Sequence, residues 1–144
     1  MGLNVISRVD EIELKKYPIS SQTVLVGDLF ERTAGATTWT ACTATSTYFT
    51  RKVIAYEAAS TSATEFLGYE VRGDEAVEAE VTNAAAAADN GDRMVLTDKN
   101  TVNNTGTDSA KEYACFIQDK IGKDSTHVIG RILVGNGVDP DATV

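Results

Sequence analysis

One histidine, two cysteines and two pairs of closely spaced carboxylates are the groups from which this chain could build chemistry. His127 follows Ser125 by two residues, and a Ser-His-Asp relay would have to use it. Adjacency in sequence does not create relay geometry, and no G-x-S-x-G elbow is present, so His127 reads as a strand residue at a surface or interface. Glu78 and Glu80 resemble a catalytic carboxylate pair, but at i and i+2 on a strand they share one polar face and read as solvated charges. Cys42 and Cys115 lie far apart, neither belongs to a CxxC, and one histidine cannot complete a Cys/His zinc site. They read as a reduced pair of small apolar fillers. Asp139 and Asp141 read as part of an acidic tail, and no EF-hand spacing or P-loop occurs; Gly135-Asn136-Gly137 is not a phosphate cradle. Trp39, Tyr48 and Phe49 form the one aromatic concentration. Aromatics stack bases or sugars when basic residues are interleaved, and here only Arg51 and Lys52 flank one end, so packing is the reading. The expectation is a non-enzymatic chain with no catalytic residue, no cofactor and no metal.

Composition narrows the class further. The chain has 144 residues, enough for one domain with a core of its own, and 42% of them are hydrophobic. Its 21 acidic residues against 13 basic ones give a net charge of −8. Nucleic acid and anionic membrane surfaces both require clustered Lys and Arg, so neither is expected as a partner. No run of about 18 apolar residues is present, and a membrane-spanning helix is not expected. The first 17 residues carry six charges and lack the apolar stretch of a signal peptide, which leads to an expectation of no Sec export.

The elements that would have to position any site are β-strands. A Gly-Asp step launches an apolar run twice, at Gly27-Asp28 and at Gly91-Asp92, and Gly73-Asp74 ends a third. Glycine permits positive φ and aspartate bonds its own nearby backbone, so each step reads as a turn beside a strand. Strands are predicted over 23–32, 52–58, 66–72, 77–82, 93–97, 112–119 and 126–134. Residues 33–37 and 59–64 read as turns, and 38–50 as a strand or an extended loop. The alternation of Val77, Ala79 and Val81 with Glu78, Glu80 and Thr82 is the cleanest period-two signal. Residues 84–88 suit a single helical turn. The polar stretch 100–111 reads as a long surface loop. The fold class is therefore all-β: a small single-domain β-barrel or sandwich over 23–134, with an N-terminal arm (1–22) and a flexible acidic tail (135–144).

Within the arm, Val5, Val9 and Ile12 have helical spacing, and Pro18 disfavours helix at Tyr17. Two readings stand side by side: a surface helix capping the barrel, or an arm docking on a neighbouring subunit. In the last strand Val128, Gly130, Ile132 and Val134 face one way. The opposite set contains Ile129 and Leu133, which is apolar for a solvent face and suits cover by another subunit.

The order of these elements carries a resemblance. A Gly-Asp-led strand precedes a Trp-bearing Thr/Ala segment, then Gly68-Tyr69-Glu70-Val71, the alternating Glu strand, Asn90 to Leu96, and a closing apolar strand. Over 20–134 this pattern resembles the decoration, or cement, proteins of tailed-phage capsids. The resemblance implies a virion protein on the capsid exterior, made in the host cytoplasm, with the major capsid protein as partner and a homotrimer as the bound form. It implies an arm over 4–21 that adds a strand to a capsid subunit. The partner-binding residues would be Val5, Val9, Ile12, Leu14 and Tyr17, with Ile129 and Leu133 buried between subunits. The chain is longer than the smallest members of that family, and its 100–111 stretch has no counterpart there. Alternatives are a tail, neck or fibre module, a trimeric all-β nucleotide-hydrolysing enzyme, and a ligand-binding barrel. No fibrous repeat favours the first, and the ordered motifs of the second do not align.

Overall fold

A computed structural model describes residues 2–107 and 112–136. It is all-β. In chain order the described strands are β1 (Asn4–Val5), β2 (Lys15–Pro18), β3 (Leu29–Arg32), β4 (Thr40–Ala41), β5 (Arg51–Ala55) and β6 (Glu65–Glu70). They continue with β7 (Val77–Val81), β8 (Arg93–Asp98), β9 (Thr101–Thr107), β10 (Phe116–Ile121) and β11 (His127–Ile132). Strands β7, β11, β10, β8 and β9 follow one another around a barrel, and the parallel pairing of β9 with β7 closes it. A second sheet, β2-β6-β5-β3-β4, forms a half-barrel beside it.

Alternation builds the barrel. Val77, Ala79 and Val81 on β7 point inward, as do Met94 and Leu96 on β8, Val102 on β9, Phe116 on β10 and Val128 and Ile132 on β11. Gly130 is required on β11 because a Cβ there would lie 2.0 Å from the Ile117 carbonyl oxygen and 2.7 Å from the Phe116 ring. The ring covers the glycine, and the ladder keeps its register. On β10 the register shifts between Gln118 and Lys120, so Asp119 is the extra residue of a bulge that bends the strand around the barrel.

The central strands of the half-barrel sheet, β3 and β5, carry buried residues on both faces. Leu29 and Ile54, cross-strand partners, join the barrel-side core. Phe30 and Val53, the next pair along, face a second core with Tyr17, Ile19, Val24, Trp39, Ala55 and Phe66. This two-sided burial explains the unbroken apolar run Val53-Ile54-Ala55. The far edges of the sheet are covered. Trp39 donates its backbone N–H to Pro18 at 2.8 Å. The Gln22 carboxamide donates to the Trp39 carbonyl and accepts from the Ala41 N–H, both at 2.8 Å, imitating a neighbouring strand.

All three Gly-Asp steps are turns with the glycine at positive φ: 91° at Gly27, 99° at Gly73 and 90° at Gly91. Other expectations are corrected. Residues 2–22 are not an arm outside the core. β1 pairs with β7, β2 pairs with β6, and Leu3, Val5, Tyr17 and Ile19 are buried. The helical spacing of Val5, Val9 and Ile12 yields only a 3-10 turn at Val9–Glu11 between two strands, because ladder bonds to β7 and β6 outweigh a short isolated helix. The polar stretch expected as a loop contains β9, whose one apolar residue, Val102, is fully buried. Two neighbouring strands satisfy its backbone, so it needs little apolar content to stay paired. The strand expected over 23–32 is a single bridge at Val24, a turn, and β3. Within 38–50 only Thr40–Ala41 is strand. The helical turn expected over 84–88 is a 3-10 turn at Ala87–Asp89. The tail over 135–144 lies outside the described residues except for Gly135 and Asn136.

Candidate interaction surface

Among the described residues, the two buried cysteines lie apart from His127, which meets Asp124, and from the Glu78/Glu80 pair, of which Glu78 meets Lys123. His127 Nδ1 lies 2.7 Å from Asp124 Oδ1 and 3.0 Å from Thr126 Oγ1, within the β10–β11 hairpin. Hydrogen bonds from His127 and from the Thr126 hydroxyl and amide hold the Asp124 carboxyl below the usual carboxylate range. The Asp124 contact is on the nitrogen a relay carboxylate would use, but the Thr126 hydroxyl also meets Nδ1 rather than Nε2, where a relay nucleophile must sit, and Ser125 is exposed. Cys42 and Cys115 are not joined in a disulfide and are buried in the barrel-side core, where the Cys115 thiol donates to the Ser46 carbonyl at 2.9 Å. Burial pushes the Cys42 thiol well up, which suppresses the thiolate that reactivity requires. Trp39 is buried edge-on to Tyr17 at 5.2 Å, with Arg32 and Arg51 stacked over its ring. Among the described residues no group of three or more His, Cys, Asp or Glu side chains could hold a metal ion. Asp139 and Asp141 lie outside the described residues. No described helix is long and apolar enough to cross a membrane.

Three buried charges were not foreseen from sequence, and each has a structural partner set. Lys52 donates to the carbonyls of Thr47 at 2.7 Å and Thr50 at 3.1 Å and to the Thr50 hydroxyl. That hydroxyl donates in turn to Glu31, which also accepts from Ser46, so the network ties the 43–50 loop to β3 and β5. Glu75 accepts from the Tyr69 hydroxyl and from the amides of Arg72 and Gly73. Asp28 accepts from the Leu25 amide at 2.9 Å, from Lys99 at 3.1 Å and from the Asn100 carboxamide at 3.3 Å.

Asp28 leads to the surface that stands out. Leu25, Val26, Gly27 and Asp28 form a turn closed by an Asp28 N–H to Leu25 C=O bond of 3.1 Å, with positive φ at Gly27 as a type II turn demands. Turn tips are ordinarily polar. Here they are Leu25, 53% exposed, and Val26, 57% exposed. The buried Asp28 anchors this turn while it holds two apolar side chains in water. Gly27 also accepts the Leu3 N–H at 3.0 Å, and Gly2 approaches so closely that a Cβ there would lie 2.7 Å from the Gly27 oxygen. Beside the turn is a cleft of about 140 Å³ lined by Gly2, Leu25, Val26, Asp28, Glu80, Asn100 and Thr101. The volume is below that of a pocket for a drug-sized molecule.

Five of the six exposed large apolar side chains among the described residues lie between positions 6 and 26: Ile6, Val9, Leu14, Leu25 and Val26; the sixth is Ile121. Of the residues expected to bind a partner, Val9 and Leu14 are exposed, and Ile12 is half-buried against the barrel-side core. Val5 and Tyr17 are core residues and are corrected: each sits on a paired strand with its side chain turned inward. Ile129 and Leu133 are half-buried. Leu25 and Val26 were missed because residues 23–32 read as one strand. The available signal was an apolar pair immediately before Gly27-Asp28, which a turn would have to expose.

No protein-family model matches this sequence, and no curated protein is similar to it.

Proposed function

We propose that this chain is a non-enzymatic structural protein of a tailed-phage virion. It binds the outer surface of the mature capsid as a trimer and strengthens contacts between major capsid subunits. The observation that carries this reading is the concentration of exposed apolar side chains on residues 6–26, above all on the anchored turn Leu25–Asp28. A rigid turn that keeps Leu25 and Val26 in water resembles a preorganised contact, and covering the two side chains is worth on the order of 1 kcal/mol each. The net charge of −8 keeps copies apart until a dedicated surface is met. A protein that binds only the expanded lattice stabilises that lattice by mass action.

Co-sedimentation of the purified chain with capsid shells of its encoding phage, before and after expansion, tests the proposal. Saturable binding to expanded shells only is expected. Absence of binding to both kinds of shell would overturn it and turn attention to a tail or neck site.

A further inference from the structure

We infer that the cleft beside the Leu25–Asp28 turn receives a single basic side chain, preferably arginine, from the protein partner. This rests on the reading that the chain docks on a protein through that turn.

Glu80 supplies the charge. It lies on the outward face of β7, between Ala79 and Val81, which are buried in the barrel. Glu78, two residues earlier on the same face, is paired with Lys123 at 3.6 Å. Among the described residues no cation lies within ion-pair distance of Glu80. The other charges around the cleft are already committed. Asp28 and Lys99 pair with each other at 3.1 Å. His127, directly across the ladder from Glu80, directs Nδ1 to Asp124. Of the two carboxylates that line the cleft, Asp28 is paired and Glu80 has no ion-pair partner among the described residues.

Its walls select the kind of cation. One carboxylate cannot satisfy a divalent ion, which takes six or more oxygen ligands or a tight octahedron. Leu25 and Val26 instead offer an apolar wall suited to the aliphatic stem of a long basic side chain. Thr101 donates its hydroxyl to Asn100 Oδ1 at 2.9 Å, so its own oxygen lone pairs remain free to accept. A carboxylate with a nearby hydroxyl acceptor matches the planar donor fork of guanidinium better than the point charge of ammonium. Gly2, held close against Gly27, and Asn100, in the turn between β8 and β9, also line the site.

The test is a titration of the isolated, isotope-labelled full chain with acetyl-Leu-Arg-Leu-amide and with its glutamine counterpart, followed by NMR. Saturable shifts at Leu25, Val26 and Thr101 are expected with the arginine peptide, with affinity about fivefold above that of the glutamine peptide. Glu80→Gln should make the two peptides equivalent. Glu57→Gln, which removes the same charge at an exposed position outside the cleft, should leave the preference intact. Equal shifts with both peptides, or shifts that do not involve the cleft, would overturn the inference. The titration needs no capsid, so its outcome is separable from that of the shell-binding assay.

Discussion

Replacing Asp28 by alanine should destabilise the fold by about 3 kcal/mol, far more than a substitution beside an exposed turn ordinarily costs. The side chain is fully buried and satisfies three donors. Loss of the acceptor for the Leu25 amide removes a charge-assisted bond worth about 1.5 kcal/mol. Lys99 retains about a third of its exposure and still reaches the Thr23 carbonyl, so losing its partner costs only about 1 kcal/mol after solvent screening. The Asn100 bond, at 3.3 Å, adds about 0.5 kcal/mol. For a chain of this length the midpoint of thermal unfolding should fall by roughly 9 °C. Urea unfolding of Asp28→Ala, Asp28→Asn and the Asp28→Ala/Lys99→Met pair would separate the contributions. Asparagine keeps an acceptor for Leu25 and should lose about half as much. The double variant should lose less than its single variants imply. A loss below about 1 kcal/mol for Asp28→Ala would refute the claim that this carboxylate anchors the turn presenting Leu25 and Val26.

Other expectations concern the core and its titrating groups. Gly130→Ala should cost more than about 3 kcal/mol or prevent folding, because its Cβ meets a ladder carbonyl at 2.0 Å. Gly35→Ala, with positive φ but open space around it, should cost only about 1 kcal/mol; solubility and urea midpoints compare the two. Burial alone would raise the Glu75 carboxyl, but bonds from the Tyr69 hydroxyl and from the Arg72 and Gly73 amides outweigh it and lower the pKa. The ionised form is thus favoured by folding. Its contribution is present above the unfolded value of about 4.3 and is lost as pH falls through the folded one, so Glu75→Gln should flatten the acid limb of stability against pH. Tyr69, pushed up to about 12 by burial and by Glu75, works in the opposite sense. Its contribution is present below about 10 and disappears as pH rises toward the folded value, and Tyr69→Phe should remove that alkaline loss. Both thiols should resist an aromatic disulfide reagent in the native protein and react in urea; rapid native labelling of Cys42 would contradict its burial.

Several parts of the fold were legible in local pattern. The Gly-Asp turns were visible because the required backbone conformation belongs to the residue types themselves. β7 was visible because only one of its faces meets the core, which stamps an alternation on Val77 to Val81. β9 was not, since its neighbours supply its hydrogen bonds and only Val102 reports burial. The N-terminal segment was read as an arm because Lys15 and Lys16 look solvated. Their strand is an edge strand whose inward residue is Tyr17, and such an edge tolerates charge on its open side. The interaction surface was half legible: Val9 and Leu14 were expected at a surface, whereas Leu25 and Val26 were hidden inside an overlong strand.

The amino-acid order alone determined an all-β class, the positions of the tight turns and the inward face of the clearest strands, because these depend on backbone preference and on period-two burial. Tertiary structure decided the rest. Asp28 is satisfied in part by Lys99 and Asn100 from a distant turn, whereas Lys52 and Glu75 take their partners from within six residues, and it is the packing of the two sheets over them that makes these local contacts buried ones. The same long-range pairing turned a polar stretch into the strand that closes the barrel and drew residues 2–22 into both sheets. It also left Leu25 and Val26 exposed, since the Asp28 anchor that holds them in water includes Lys99 and Asn100, more than seventy residues away in sequence.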